Sequence, residues 1–219
     1  MKKQLKIYVA LALLVMSVTG CYEDVISGRG PVVEEEYAVN DFTSLYLQLP
    51  ARLYVYEGSE PSVRIRTNQN LHSRIEAEVI SGELKIKTIP NVSLRSIDVM
   101  DVYVSSSAVN EFRINGSGVI RIEDCLNANA LSFHINGSGV IYACGNTGTL
   151  EVEVNGSGKF YGSDLQSEHA ELTIYGSGDI ETRVSESLDV HIAGSGNIAY
   201  YGNPQVTSQI SGSGKIRKK

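Results

Sequence analysis

Ile135-Asn136-Gly137-Ser138-Gly139-Val140-Ile141 decides the fold, because the chain keeps writing it again. Gly-Ser-Gly stands at 116–118, 137–139, 156–158, 176–178, 194–196 and 212–214, at intervals of 21, 19, 20, 18 and 18 residues. A unit of that length cannot bury a core alone, and its repetition marks a solenoid in which each turn of chain stacks on the last.

Aligned on the tripeptide, the copies form columns. Two residues before the first glycine stand Ile114, Ile135, Val154, Ile174, Ile192 and Ile210; four before stand Phe112, Phe133, Val152, Leu172, Val190 and Ser208. Two after the last glycine stand Ile120, Ile141, Phe160, Ile180, Ile198 and Ile216. The positions between are polar: Glu111, Ser132, Glu151, Glu171, Asp189 and Thr207 in one column, Arg113, His134, Glu153, Thr173, His191 and Gln209 in the next. Side chains alternate across a strand, so the apolar columns face inward and the polar ones outward. The pattern predicts an all-β solenoid over 111–219, with coils of 18–21 residues built from two or three short strands and paired in parallel from coil to coil. Glycine at the corners supplies positive φ without a Cβ penalty. No helical pattern follows any of these glycines, which excludes a phosphate-cradling loop.

Residues 37–110 also alternate, from Phe42, Leu45, Leu47 and Leu49 through Val63 and Ile65 to Leu84 and Ile86, with turns at 57–61 and 81–82. They read as irregular lead-in coils of the same solenoid covering its N-terminal end, with a single helical turn at Asn70-Leu71-His72-Ser73.

The chain has 21 Gly, 12 Tyr and no Trp, a mixture suited to short strands and tight corners. Its formal charge is −6, and loss of residues 1–20, with three lysines and no acid, would take it to −9. Such a body repels phosphate backbones, so nucleic acid is not an expected partner.

Lys2, Lys3 and Lys6 precede an apolar run from Ile7 to Val18, the layout of a secretory signal peptide over 1–20. Val18-Thr19-Gly20-Cys21 resembles the bacterial lipobox, which implies lipidation (palmitate among the acyl chains) at Cys21 and a membrane anchor. The acidic pair Glu23-Asp24 resembles a signal that sends some lipoproteins to the outer face of the outer membrane. Residues 21–36, with Gly28, Gly30, Pro31 and Glu34-Glu35-Glu36, read as a flexible acidic tether.

On the Asn-Gly-Ser-Gly turns and the alternating lead-in ending in Gly82-Glu83-Leu84-Lys85-Ile86, residues 37–219 resemble the putative auto-transporter adhesin head GIN domain family of bacterial envelope proteins. The resemblance implies a right-handed single-stranded parallel β-helix in a secreted or lipid-anchored protein, and it carries no catalytic residues, metal ligands or cofactor.

Cys125 and Cys144 lie six residues before the inward Leu131 and Leu150, hence in one column of adjacent coils. Coil spacing of about 4.8 Å permits a disulfide, with a stacked pair of free thiols as the alternative. Glu151, Glu153 and Glu171 form an acidic outward strip, and Tyr142, Tyr161 and Tyr175, with Tyr200 and Tyr201, stand outward apart from it. Paired carboxylates can cleave glycans and acids can bridge Ca²⁺, but acidic columns in any solenoid produce such spacings, so the acids read first as a solvated face and the tyrosines as half-exposed strand residues. As a binding strip for a glycan or protein the candidates are the three glutamates with Tyr142, Tyr161 and Tyr175. The reading is therefore a lipid-anchored, non-catalytic binding or adhesion module. A polysaccharide-active enzyme, and an envelope scaffold or stress sensor with a protein partner, are the alternatives.

Overall fold

A computed structural model describes residues 23–219; the signal peptide expected over 1–20 and the expected lipidation site Cys21 lie outside the described residues. Eighteen strands follow one another. The N-terminal part holds β1 (Asp24–Ser27), β2 (Val32–Tyr37), β3 (Ser44–Leu47), β4 (Arg52–Tyr56), β5 (Ser62–Asn68), a 3₁₀ turn (Gln69–Arg74), β6 (Ile75–Ile80), β7 (Glu83–Thr88), β8 (Val92–Arg95) and β9 (Met100–Ser105). The repeats hold β10 (Glu111–Gly116), β11 (Val119–Ile122), β12 (Leu126–Gly137), β13 (Val140–Gly156), β14 (Lys159–Gly176), β15 (Asp179–Gly194), β16 (Asn197–Tyr201), β17 (Gln205–Gly212) and β18 (Lys215–Lys218).

The result is a β-solenoid of about five turns. Its first face stacks the segments that run into each Gly-Ser-Gly, in the order β6-β7-β3-β10-β12-β13-β14-β15-β17. Its second face stacks the segments leaving the corner, in the order β2-β5-β9-β4-β11-β13-β14-β15-β16-β18. From β12 to β15 the strands are longer than expected, because ladder bonding runs on through a third side (126–130 on 145–149 on 164–169), with register shifts after Tyr142, Gly162 and Ser167.

The register is the one the columns predict. Phe112 pairs with Phe133, Ile135 with Val154, Ile174 with Ile192, and Ile180 with Ile198. Inward side chains are excluded from water: Phe112 stacks on its counterpart Phe133 with ring centroids 5.2 Å apart, and Phe133 meets Phe160 of the opposite face at 4.9 Å with tilted rings. Burial of these columns drives the coil together, and close packing along the axis sets which residue sits over which.

The corner explains its own sequence. The first glycine adopts φ between +117° and +139° from Gly116 to Gly212, a region that L side chains resist. The second lies against the previous coil's inward residue: a Cβ on Gly158 would sit 2.4 Å from Ile135 Cγ2, and one on Gly178 2.5 Å from Val154 Cγ1. The serines between point to solvent and line up along one edge, where the N–H of Ser138, Ser157, Ser177, Ser195 and Ser213 donates to the carbonyl of the first glycine one coil earlier at 2.8–2.9 Å.

The N-terminal part departs from the expected order in two ways. First, β10 and β11 stack on β3 and β4, while β7 and β9, which come later in the chain than β3 and β4, stack beyond them; β5 and β6 then close that end in antiparallel fashion. The lead-in is thus continuous with the solenoid, but its coils are laid down out of sequence. Alternation reports which face a residue takes and is silent on the partner strand. The expected turn at 70–73 is the 3₁₀ segment, whose Leu71 plugs the core.

Second, the predicted flexible tether is largely ordered. β1 pairs with β8, and β2 pairs with β5. The acids that suggested a solvated linker sit on an edge strand, where Arg64 takes Glu34 at 2.8 Å and His72 lies 3.7 Å from Glu35.

Candidate functional site

The six residues proposed as one strip fall on two faces. Glu151, Glu153, Glu171 and Tyr175 lie on the first face; Tyr142 and Tyr161 lie on the second, across the Gly-Ser-Gly corner. Sequence order alone gives each residue's column, but not the bend between the columns.

On the first face Ser132, Glu151, Glu171 and Asp189 stand in register in successive coils. The Ser132 hydroxyl donates to Glu151 at 3.3 Å and lies 2.9 Å from His134 Nε2, and His134 Nδ1 lies 3.6 Å from Glu153. Asn155 donates to Glu153. Glu151 and Glu171 border an open depression of about 550 Å³ that also takes in Glu111 and His134. Tyr175 is 48% exposed, with one side of its ring toward His191 at a centroid distance of 5.7 Å. This face offers acceptors and one exposed aromatic ring to whatever lies along it. Its carboxylates are neighbours by stacking, in a trough without walls.

On the second face the Tyr142–Tyr161 pair is the middle of a longer ladder. Register carries it through Tyr103, Tyr54, Arg121, Tyr142, Tyr161 and Glu181 to Ala199 and Arg217. Tyr103 stacks on Tyr54 at 5.4 Å and Tyr142 on Tyr161 at 5.0 Å, both close to parallel. The Arg121 guanidinium lies 4.0 Å over the Tyr142 ring, and Arg64 lies 5.4 Å over Tyr103. Ring faces are therefore used up within the ladder, which presents its edges and hydroxyls outward. Tyr54, Tyr103 and Arg121 escaped the sequence reading. Aligning Leu53 and Val55 with Ile120 and Ile122 would have placed Tyr54 beside Arg121.

Charge pairing decorates the same face. Lys159 meets Asp179 at 3.0 Å. Burial alone would push the Asp179 carboxyl up, but hydrogen bonds from Asn197 and Lys159 overcome it and hold the group below its ordinary value. The Lys219 ammonium and the Tyr201 hydroxyl, each 3.0 Å from Glu181, likewise hold that carboxyl down against the opposing pull of burial.

Cys125 and Cys144 face each other in adjacent coils with Cα atoms 4.8 Å apart and their sulfurs joined in a disulfide. Among the described residues no group of three or more His, Cys, Asp or Glu side chains is placed to hold a metal ion, and no helix is long and apolar enough to cross a membrane.

An elongated β-solenoid with a filled interior and flat, in-register outward columns defines the class. Residues 41–204 match the model of the family described as "Putative auto-transporter adhesin, head GIN domain", and the chain belongs to that family. No curated protein matches the sequence. Among solved structures it is similar to a putative adhesin from Bacteroides fragilis NCTC 9343, with TM-score 0.74 and 19% identity over 89% of this chain and all of that one. It is also similar to a structure titled a putative lipid binding protein from Parabacteroides distasonis ATCC 8503, with TM-score 0.60 and 23% identity over 90% of this chain and all of that one. A putative adhesin from Parabacteroides merdae ATCC 43184 gives TM-score 0.56 and 18% identity over 90% of this chain and 99% of that one. These likenesses establish the fold.

Proposed function

We propose that the protein is a lipid-anchored cell-envelope module, held through Cys21 at the outer membrane, that binds an extended glycan or protein ligand along its side without chemical turnover. The observation that carries this reading is the register itself. Polar and aromatic side chains one coil apart repeat at the ladder spacing of about 4.8 Å, giving a rigid surface with many equivalent weak contacts along one axis. The solvated carboxylates of Glu151, Glu153 and Glu171 beside His134 and Tyr175 offer acceptors to sugar hydroxyls or to a basic protein surface. Placing Glu151 and Glu171 in an open trough favours binding over glycan hydrolysis, which gains from a site that expels water.

The relative named for lipid binding raises a lipid ligand as a second possibility for this chain. Phe112, Phe133 and Phe160 fill the interior, so an acyl chain would have to lie outside.

The test is a glycan and envelope-protein binding array on the mature chain. A ligand retained by wild type and lost on combined Glu151→Gln, Glu171→Gln and Tyr175→Ala substitution supports the reading. Release of product from a bound glycan, abolished by Glu151→Gln, would replace it with catalysis. For the anchor, fatty-acid labelling of cells should mark the protein and vanish with Cys21→Ser.

A further inference from the structure

Among the described residues the second face ends at two strands that are paired on one side only and carry opposite charge. Among the described residues β2 pairs only with β5, and β18 pairs only with β16. β2 is antiparallel to β5, which is antiparallel to β9, and every later step from β9 to β18 is parallel. The two edges therefore run in the same direction. Moving one copy along the axis would set its β2 beside the other's β18 as a parallel neighbour, the pairing already used throughout that face.

The outward columns end in matching charges. One begins at Glu34 and runs through Arg66, Asp101, Arg52, Val119, Val140, Lys159, Asp179 and Asn197 to Lys215; the other begins at Glu36 and ends at Arg217. At the β2 end of the first column the charges already alternate, from Glu34 to Arg52, with Arg52 and Arg66 both on Asp101 at 2.8 and 3.5 Å. Placing Lys215 on Glu34 and Arg217 on Glu36 continues that alternation. Residues 197–219 contain four basic side chains and no acid, whereas β2 carries three consecutive glutamates. The basic end also leaves Val206 39% and Ile210 42% exposed, apolar side chains that a stacked coil would cover.

We propose that this chain associates head to tail with further copies of itself, β18 of one against β2 of the next. Charge on an edge strand usually serves to block pairing. Here it blocks like against like and leaves the unlike ends complementary. The contact is heterologous, so it propagates into a row instead of stopping at a dimer. One local partner competes: Arg64 holds Glu34 on the exposed surface, where the pair is exchangeable. A row lying along the bilayer would let each copy keep its own lipid anchor.

Sedimentation velocity on the mature chain in detergent tests the proposal. At low salt the expected result is a concentration-dependent series of species that collapses at high salt. Lys215→Glu with Arg217→Glu should weaken association by about tenfold or more, and mixing that variant with Glu34→Lys plus Glu36→Lys should restore a contact between the two populations. Oxidation of a mixture of Glu36→Cys and Arg217→Cys chains should give a covalent heterodimer. A monomer at every concentration in low salt overturns the proposal. So does association indifferent to charge reversal, or cross-linking confined to each variant with itself.

Discussion

Each glycine of a corner answers to a different neighbour, and the serine between them answers to water. A methyl group on Gly158 would press on Ile135 of the coil before, a side chain that can shift only slightly inside a full core. On Gly156 it would meet the Gly137 carbonyl at 2.5 Å, from a backbone held at φ +122°. Gly158→Ala is expected to cost about 1–3 kcal/mol and Gly156→Ala more, whereas Ser157→Ala should stay within about 0.5 kcal/mol, all read from urea unfolding. At this scale the repeats were legible because apolar period two and the corner tripeptide together fix the inward columns on either side of the corner, from Phe112 to Ile216; the third side, where Leu165 and Val184 are buried, has no such marker. Tyr54 and Tyr103 were not placed in the ladder, because the coils that carry them lack the tripeptide that would align them.

Among the elements, β2 is the one whose chemistry runs against its appearance. Three glutamates suggested a tether, yet Val32, Val33 and Tyr37 give it enough apolar area to dock, and Arg64 and His72 receive two of the acids. Sequence shows the acids but not the side chains that the fold brings to them from thirty or more positions away. Tyr37 offers a test of that docking. Burial, with Glu35 adding to it, pushes its phenol up from 10.0 to about 12. A phenol raised in the folded state contributes stability that is whole below pH 10 and disappears as the pH climbs through 12. Absorbance titration should show a late-ionising tyrosine that Tyr37→Phe removes, and the same substitution should flatten the loss of stability across that window.

The Cys125–Cys144 bridge belongs to this scale too, since it ties the third side of one coil to the next. It closes a loop with a sequence separation of 19, so its removal by paired alanine substitution is expected to cost about 3 kcal/mol. Peptide mapping without reductant should recover the linked pair. The alignment that placed both cysteines in one column was legible; their bond depends on side-chain directions that only the fold supplies.

For the molecule as a whole, the order of stacking was the hidden part. Coils of the repeat region follow the chain, but the N-terminal end is folded back on itself, with β7 and β9 outermost among the parallel strands and β5 and β6 closing them off. Antiparallel β5 and β6 and a buried Leu71 cover the core at that end and leave β2 as the edge of the second face, while the other end finishes in strands whose residues are almost all exposed. Amide exchange should accordingly be slowest from β12 to β15 and fastest in β17 and β18. Because one corner is interchangeable with the next, a complete turn of chain is also a portable unit. Duplicating residues 156–175 should give a folded protein about 4.8 Å taller by small-angle scattering, whereas one extra residue between Glu171 and Ile174, where the ladder of β14 is unbroken, should scramble its register. Height in this molecule is thus counted like rungs, and evolution can lengthen or shorten its reach by copying a single stretch of gene without redesigning either end.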